Sequence, residues 1–296
     1  MKNIQHILHV IPNLFRNLAA GIGGRMLKQV QHDIVWIILL FILVGIPAFA
    51  KPPIDICYDN GIYHIVLKGK KIKKRIKFIS SEDLITNREA HAKSRARLTV
   101  NAGFFDPKNG KTVSYIVTDR NTEADPVFNE NLIGNHVLQQ NMDKILNRTE
   151  FRVLECHKEG YVYEITPHKS PVDFGCMVVT SAQGGPLVYP QLRLEEEFFV
   201  VMQGDKVVRD SISALKKVPR TIIGLKNTDE VHILIITDEN PMDLYEVHEL
   251  CKELGLDRAM AFDGGGSTSM DYLDKYHVIS ENDGTGRNLK SFMLVY

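Results

Sequence analysis

The sequence predicts an α/β fold of the mixed α+β type: one domain built on a mixed β-sheet with flanking helices, closing in a C-terminal βαβ unit. Two patterns lead there. Short β-branched or alternating runs recur through the middle of the chain with turn residues between them. Near the C-terminus a continuous apolar run is followed by a helical repeat and then by a second apolar run.

The individual elements follow from these patterns. Strands are expected at 62–67 (IYHIVL), 76–79, 98–100, 113–118, 151–155 and 161–165. Residues 121–149 are polar and predict a helix and an exposed excursion. Residues 231–237 (VHILIIT) read as a buried strand. Asn240 and Pro241 then supply an N-cap and a first-turn proline, Leu244, Val247, Leu250 and Leu254 share one helical face, and Gly255 ends the helix. Residues 258–262 return as a strand, which the βαβ pattern expects to run parallel to the first across a right-handed crossover.

Composition narrows the function classes. The chain has 296 residues, of which 44% are hydrophobic and 24% charged, an ordinary globular balance. Its 36 basic and 36 acidic residues cancel, so no global field draws it to nucleic acid or to an anionic membrane. The partner is recognised locally.

The first 50 residues stand apart as a leader and signal peptide, leaving 51–296 as the functional domain. Residues 34–49 (IVWIILLFILVGIPAF) are uncharged, follow Arg25 and Lys28, and end in Ala48-Phe49-Ala50, a small-x-small pattern before Lys51. This predicts an exported protein, periplasmic or extracellular, with Met26 as the expected start of synthesis. The alternative is an uncleaved anchor, although the run falls short of the roughly 20 apolar residues that span a bilayer. Four cysteines follow, Cys57, Cys156, Cys176 and Cys251, without the CxxC spacing or adjacent histidines of a zinc site. Cys156 and Cys176 flank a hairpin region and are the first candidates for a disulfide, which export would permit.

The most distinctive stretch is AFDGGGSTSM, residues 261–270, where Asp263 stands just past a strand and precedes three glycines and three hydroxyls. Open α/β sheets place ligands at such strand ends. Gly264, Gly265 and Gly266 let the backbone approach a ligand, and successive amides there form an anion nest, assisted by Ser267, Thr268 and Ser269. By itself the run is equally the signature of a tight turn. A P-loop would need lysine where Ser267 stands. The GxSxG elbow fails on Gly-Gly-Ser-Thr-Ser, and a subtilisin-like reading lacks a matching histidine segment. Three further segments share its character: NAGFFDP at 101–107, AQGGPLVYP at 182–190, and PRTIIGL at 219–225.

In this order the segments resemble the phosphodiester glycosidase family. NAGFFDP is similar to that family's Asn-Gly-Gly-Phe-Phe, AQGGPLV to its Gly-Pro-Leu, PRTIIGL to its Arg-Thr-x-x-Gly strand, and AFDGGGSTSM to its Leu-Asp-Gly-Gly-Gly-Ser; Arg287 in GTGRNLKSFMLVY resembles the arginine before its closing strand. The likeness spans roughly residues 95 to 296, and the combination is far more specific than any one member. Ala102 replaces the commoner glycine and Phe262 the commoner leucine, and neither change removes a reacting group.

The resemblance implies a hydrolase that cuts a sugar-1-phosphodiester at the glycosidic C–O bond, in envelope or exopolysaccharide metabolism. Such a leaving group is already a good anion, so the reaction calls for charge stabilisation more than for proton donation. Asp263 and Asp106 are then the catalytic carboxylates, and Arg220 the catalytic cation, suited to bidentate phosphate contact. Asn101, Gly185, Thr221, Gly264, Gly265, Gly266, Ser267 and Arg287 are the substrate-binding candidates. The partner is a small sugar-phosphodiester or a polysaccharide, with membrane contact only through an uncleaved N-terminus. No cofactor is implied, and the ligand spacing identifies no metal. Two alternatives remain: a noncatalytic carbohydrate-binding or envelope-assembly protein on the same fold, and a phosphodiesterase cutting P–O.

Overall fold

The computed structural model describes residues 54–69, 71–280 and 284–296, so the expected leader and signal peptide at 1–50 lie outside the described residues. Four sheets carry the described chain, and every ladder in them is antiparallel. The first runs β1 (Ile54–Asp59), β2 (Ile62–Lys68), β14 (Glu230–Ile236), β13 (Arg220–Lys226), β15 (Arg258–Ala261), β10 (Leu187–Tyr189). The second runs β17 (Tyr276–Ile279), β16 (Ser269–Tyr272), β4 (Leu98–Asn101), β18 (Leu289–Val295), β3 (Ile76–Ile85). A third runs β6 (Asn121–Ala124), β5 (Ile116–Thr118), β9 (Cys176–Gln183), β7 (Thr149–Cys156), β8 (Gly160–Pro167), and a two-stranded ribbon joins β11 (Val200–Gln203) to β12 (Lys206–Asp210).

The period of two along each strand decides how these sheets stack. On β14, Val231, Ile233 and Ile235 enter one hydrophobic cluster, while Leu234 and Ile236 enter another on the opposite face. On β15, Met260 joins the first cluster, and Ala259 and Ala261 join the second. The first sheet therefore buries apolar residues on both faces, which accounts for the run of 231–236, apolar but for His232. The first cluster also takes Val100, Met270 and Met293 from the second sheet and Phe151 and Val153 from the third, so it forms the common core. On β18 the alternate residues Phe292 and Leu294 face away from it and pack with Ala90 of α1 (Asn87–Ser94).

Between β14 and β15 runs the expected helix, here α5 (Leu244–Glu253), after the one-turn helices α2 (Glu130–Ile133), α3 (His136–Gln139) and α4 (Met142–Ile145). Leu244, Val247 and Cys251 of α5 are buried against the second cluster. Its N-cap is Asp243 rather than Asn240, because Asp243 and Glu246 close a reciprocal capping box. Met242 is unavailable to the helix, since it bridges to Val218. Gly255, at φ +64°, follows the last turn as expected. The βαβ expectation is modified in one respect: β13 is inserted between β14 and β15 and pairs antiparallel with both. The two outer strands still run in the same direction, but they share no hydrogen bonds.

The 121–149 segment, expected to hold a helix and an exposed excursion, forms β6, a 3₁₀ turn and the three one-turn helices. Cys156 and Cys176 stand directly opposite each other on β7 and β9 and are joined as a disulfide. Cys57 is exposed and Cys251 buried. Among the described residues no helix is long and apolar enough to cross a membrane.

Candidate active site

The chain passes from the first sheet to the second through AFDGGGSTSM, leaving β15 at Ala261 and entering β16 at Ser269. Backbone bonds tie the crossover to both sheets. Phe262 donates its amide to Thr221 O at 2.8 Å and Asp263 donates to Ala102 O at 2.9 Å. Asn101, at the end of β4, is buried at this junction and uses both the nitrogen and the oxygen of its amide there. Its Nδ2 donates to Asp263 O at 2.6 Å, while its Oδ1 accepts from Thr221 Oγ1 at 2.7 Å and from the Ser269 amide at 3.0 Å. Asn101 and Thr221 are thus the staple that holds the crossover.

Asp263 keeps part of its surface open to solvent although protein surrounds its carboxyl group. Burial is the main influence on that group and pushes its pKa from 3.8 up to about 6. A hydrogen bond from Ser267, the positive charge of Arg287 and the Gly264 amide oppose the rise. The hydroxyl of Ser267 also accepts from Arg287 Nη1 at 3.4 Å. A carboxylate, a buried hydroxyl and a cation therefore converge, with the carboxyl poised near neutrality.

The glycine run serves mainly to shape the turn. Gly265 needs its freedom because its φ is +59°. A Cβ on Gly264 would sit 3.1 Å from Pro219 O, so glycine permits the close approach of the strand beside it. The expected nest of amides is largely engaged within the turn. The Gly264 amide bonds the Asp263 carboxylate, Gly265 donates to Pro219 O, Ser267 to Gly264 O and Thr268 to Gly265 O.

Arg220 has a different setting from the phosphate ligand its residue type suggested. It is 3% exposed, and its Nε donates to Met242 O at 3.0 Å, Nη1 to Ile212 O at 3.1 Å, and Nη2 to Ser213 O at 2.6 Å and Lys216 O at 2.8 Å. Four of the five N–H groups of a guanidinium are so occupied. Arg220 clamps the 212–216 loop and the approach to α5, and Arg287 is the cation that acts on Asp263.

Two other candidates have settings of their own, although the Gly185 amide still donates to Ala261 O at 2.9 Å, at the start of the crossover. Asp106 accepts from the Lys108 amide at 2.8 Å and from Asn131 Nδ2 at 2.9 Å, and it lines a cavity of about 270 Å³ beside Phe104, Phe105 and Asn131. Gly185 is buried with φ +93°, and a Cβ there would meet Glu197 Oε2 at 2.4 Å, so its place is in the packing beneath that cavity's Phe199. Glu197 itself carries no sequence signal. It sits in an acidic run, yet it is buried and accepts from the Thr149 amide, Thr149 Oγ1 and the Leu187 amide. Among the described residues the one cluster of three metal-type side chains is Cys156, Glu159 and Cys176, whose thiols are already joined.

No curated protein sequence matches the chain. Among solved structures it is similar to the catalytic domain of zebrafish N-acetylglucosamine-1-phosphodiester alpha-N-acetylglucosaminidase, at 14% identity and a TM-score of 0.54, over 82% of this chain and 81% of that one. A hypothetical protein from Synechocystis is similar at 11% identity and a TM-score of 0.51, over 82% and 61% of the two chains. A putative exported protein from Burkholderia pseudomallei is similar at 11% identity and a TM-score of 0.56, over 79% and 73%. At such identities the likeness concerns the fold. The sequence adds what the folds alone do not: residues 94–296, which contain the Asn101 staple, Asp263, the glycine turn and Arg287, match the phosphodiester glycosidase family, and the chain belongs to that family.

Proposed function

We propose that the protein is an exported hydrolase that cleaves a sugar-1-phosphodiester at the glycosidic C–O bond. Water adds to the anomeric carbon, the bond from that carbon to the bridging oxygen breaks, and the oxygen leaves with the phosphate as a phosphomonoester. The observation that carries this reading is the Asp263 carboxyl, raised to about 6 by burial and placed beside Ser267 and Arg287 at a strand end. Ionised, Asp263 activates water or attacks the anomeric carbon; Arg287 offsets the charge that develops on the departing phosphate. Arg220 and Asn101 act by positioning. The substrate class is taken from the zebrafish enzyme's name, which specifies an N-acetylglucosamine-1-phosphodiester. Export rests on the signal-peptide pattern of residues 34–50, and a role in envelope or exopolysaccharide metabolism on that export taken together with the family.

The test is hydrolysis of sugar-1-phosphodiesters by the purified protein in oxygen-18 water. Label in the released sugar supports glycosidic cleavage, whereas label in the phosphate would make the protein a phosphodiesterase that cuts P–O. A well-folded preparation inert across a broad panel of nucleotide sugars and sugar-phospho-sugars would remove the hydrolase reading in favour of carbohydrate binding.

A further inference from the structure

The cavity that Asp106 lines contains an arrangement the hydrolytic site does not use. Arg148, just before β7, is 7% exposed, and its guanidinium carbon lies 3.8 Å from the centroid of the Phe199 ring. Arg209, on β12, is half-buried, with its guanidinium carbon 4.9 Å from the centroid of Phe198. Each donates its Nε to a backbone carbonyl, Arg148 to Glu197 O at 3.1 Å and Arg209 to Phe198 O at 3.3 Å. Among the described residues their terminal amino groups bond no acceptor, and both side chains line the cavity.

The nearby carboxylates do not fill that role. Glu197 is already bonded by Thr149 and Leu187, and Asp106 by the Lys108 amide and Asn131. Burial is the main cause that lowers the Arg148 pKa to about 9, Glu197 opposes the fall, and the charge of Arg209 adds to it. A buried and a half-buried cation that line one cavity with unused planar donors are stabilised by an anion before them. The remaining lining suits a sugar. Phe104, Phe105 and Phe199 supply apolar faces, while Asn131, Asn135 and Asp106 supply hydroxyl partners. At about 270 Å³ the space is just below the roughly 300 Å³ at which drug-sized pockets begin, so it accommodates one sugar-sized group.

We propose that the Arg148–Arg209 cavity is a binding site for a monosaccharide that carries an oxyanion, phosphate or carboxylate, with the anion on the guanidiniums and the ring against the phenylalanines. Neither Asp263 nor Arg287 lines this cavity, and the proposal does not depend on the hydrolytic reading. The test is calorimetric titration of the full-length chain with a hexose 6-phosphate, a hexuronate and the neutral hexose. An anionic sugar is expected to bind about tenfold tighter than the neutral one, and Arg209→Gln is expected to abolish that preference while the melting temperature stays within a degree or two. Preference for phosphate alone or for uronate alone identifies the anion, and either supports the site. Arg148→Lys, which keeps charge but loses the planar fork, is the second variant and should weaken the anionic sugar alone. Arg287→Gln is the control for binding at Asp263. The proposal is overturned if charged and neutral sugars bind equally or not at all, if both cavity variants bind as wild type, or if the preference is lost with Arg287→Gln and kept with Arg209→Gln.

Discussion

Asn101 Nδ2, at the end of a strand of the second sheet, donates a 2.6 Å hydrogen bond to Asp263 O, in the crossover that leaves the first sheet. The bond fixes the backbone from which the candidate catalytic carboxylate projects. With its two other partners, the Thr221 hydroxyl and the Ser269 amide, Asn101 satisfies three buried polar groups at once. Asn101→Ala leaves all three without a partner and is expected to cost about 3 kcal/mol, since each orphaned buried group costs on the order of 1 to 3 kcal/mol and the gap admits some relaxation. Urea unfolding measures this. A loss below half a kcal/mol would show that the staple is dispensable.

The Asp263 carboxyl makes activity pH-dependent in a definite direction. If it reacts ionised, kcat/KM rises with pH through about 6 and then levels off. Arg287 lowers this pKa, so Arg287→Gln should move the rise to higher pH as well as reduce the plateau. A profile that instead falls above pH 6 would assign Asp263 to proton donation.

The same carboxyl is a stability liability. Its folded pKa lies above its ordinary value of 3.8, so the folded protein binds more protons than the unfolded chain between about pH 4 and 6, and stability falls as pH rises through that window. Asp263→Asn should therefore stabilise the protein by about 2 kcal/mol at pH 7, have little effect on stability at pH 3.5, and abolish most turnover while leaving substrate affinity nearly intact. Thermal melts at the two pH values and kinetics at one settle it. Wild-type turnover by the variant would refute the catalytic assignment of Asp263.

Arg220→Lys tests the clamp. A lysine cannot reach four carbonyls distributed over Ile212, Ser213, Lys216 and Met242, so the loss should appear in stability, by about 2 to 4 kcal/mol. KM for a sugar-phosphodiester should change little. A large KM increase at unchanged melting temperature would place Arg220 on the phosphate after all.

The Cys156–Cys176 bridge closes a separation of 20 residues, for which chain-entropy arguments give about 3 kcal/mol. A reducing agent, or the paired Cys156→Ser and Cys176→Ser substitution, should lower the melting temperature accordingly. Unchanged melting under full reduction would mean that the β7–β9 ladder alone holds the segment.

What the sequence by itself determined is whatever local periodicity or a contiguous motif can encode. The strand runs, the α5 repeat, the Gly255 stop and the AFDGGGSTSM turn were all legible, because each depends on neighbours within a few residues. Even there, Asn240 was a plausible cap until the Asp243–Glu246 box and the Val218–Met242 bridge decided the start of the helix. Tertiary structure decided everything that depends on who meets whom across the chain. It inserted β13 between β14 and β15, because an antiparallel strand could pair with both edges. It drew the Arg220 guanidinium onto four loop carbonyls and left Arg287 beside Asp263. It also brought Arg148 and Arg209, 61 positions apart in the chain, to one cavity. Residue type sets what a side chain can bond, but burial and the partners within reach decide which of those bonds it makes, and both arise only when distant segments pack.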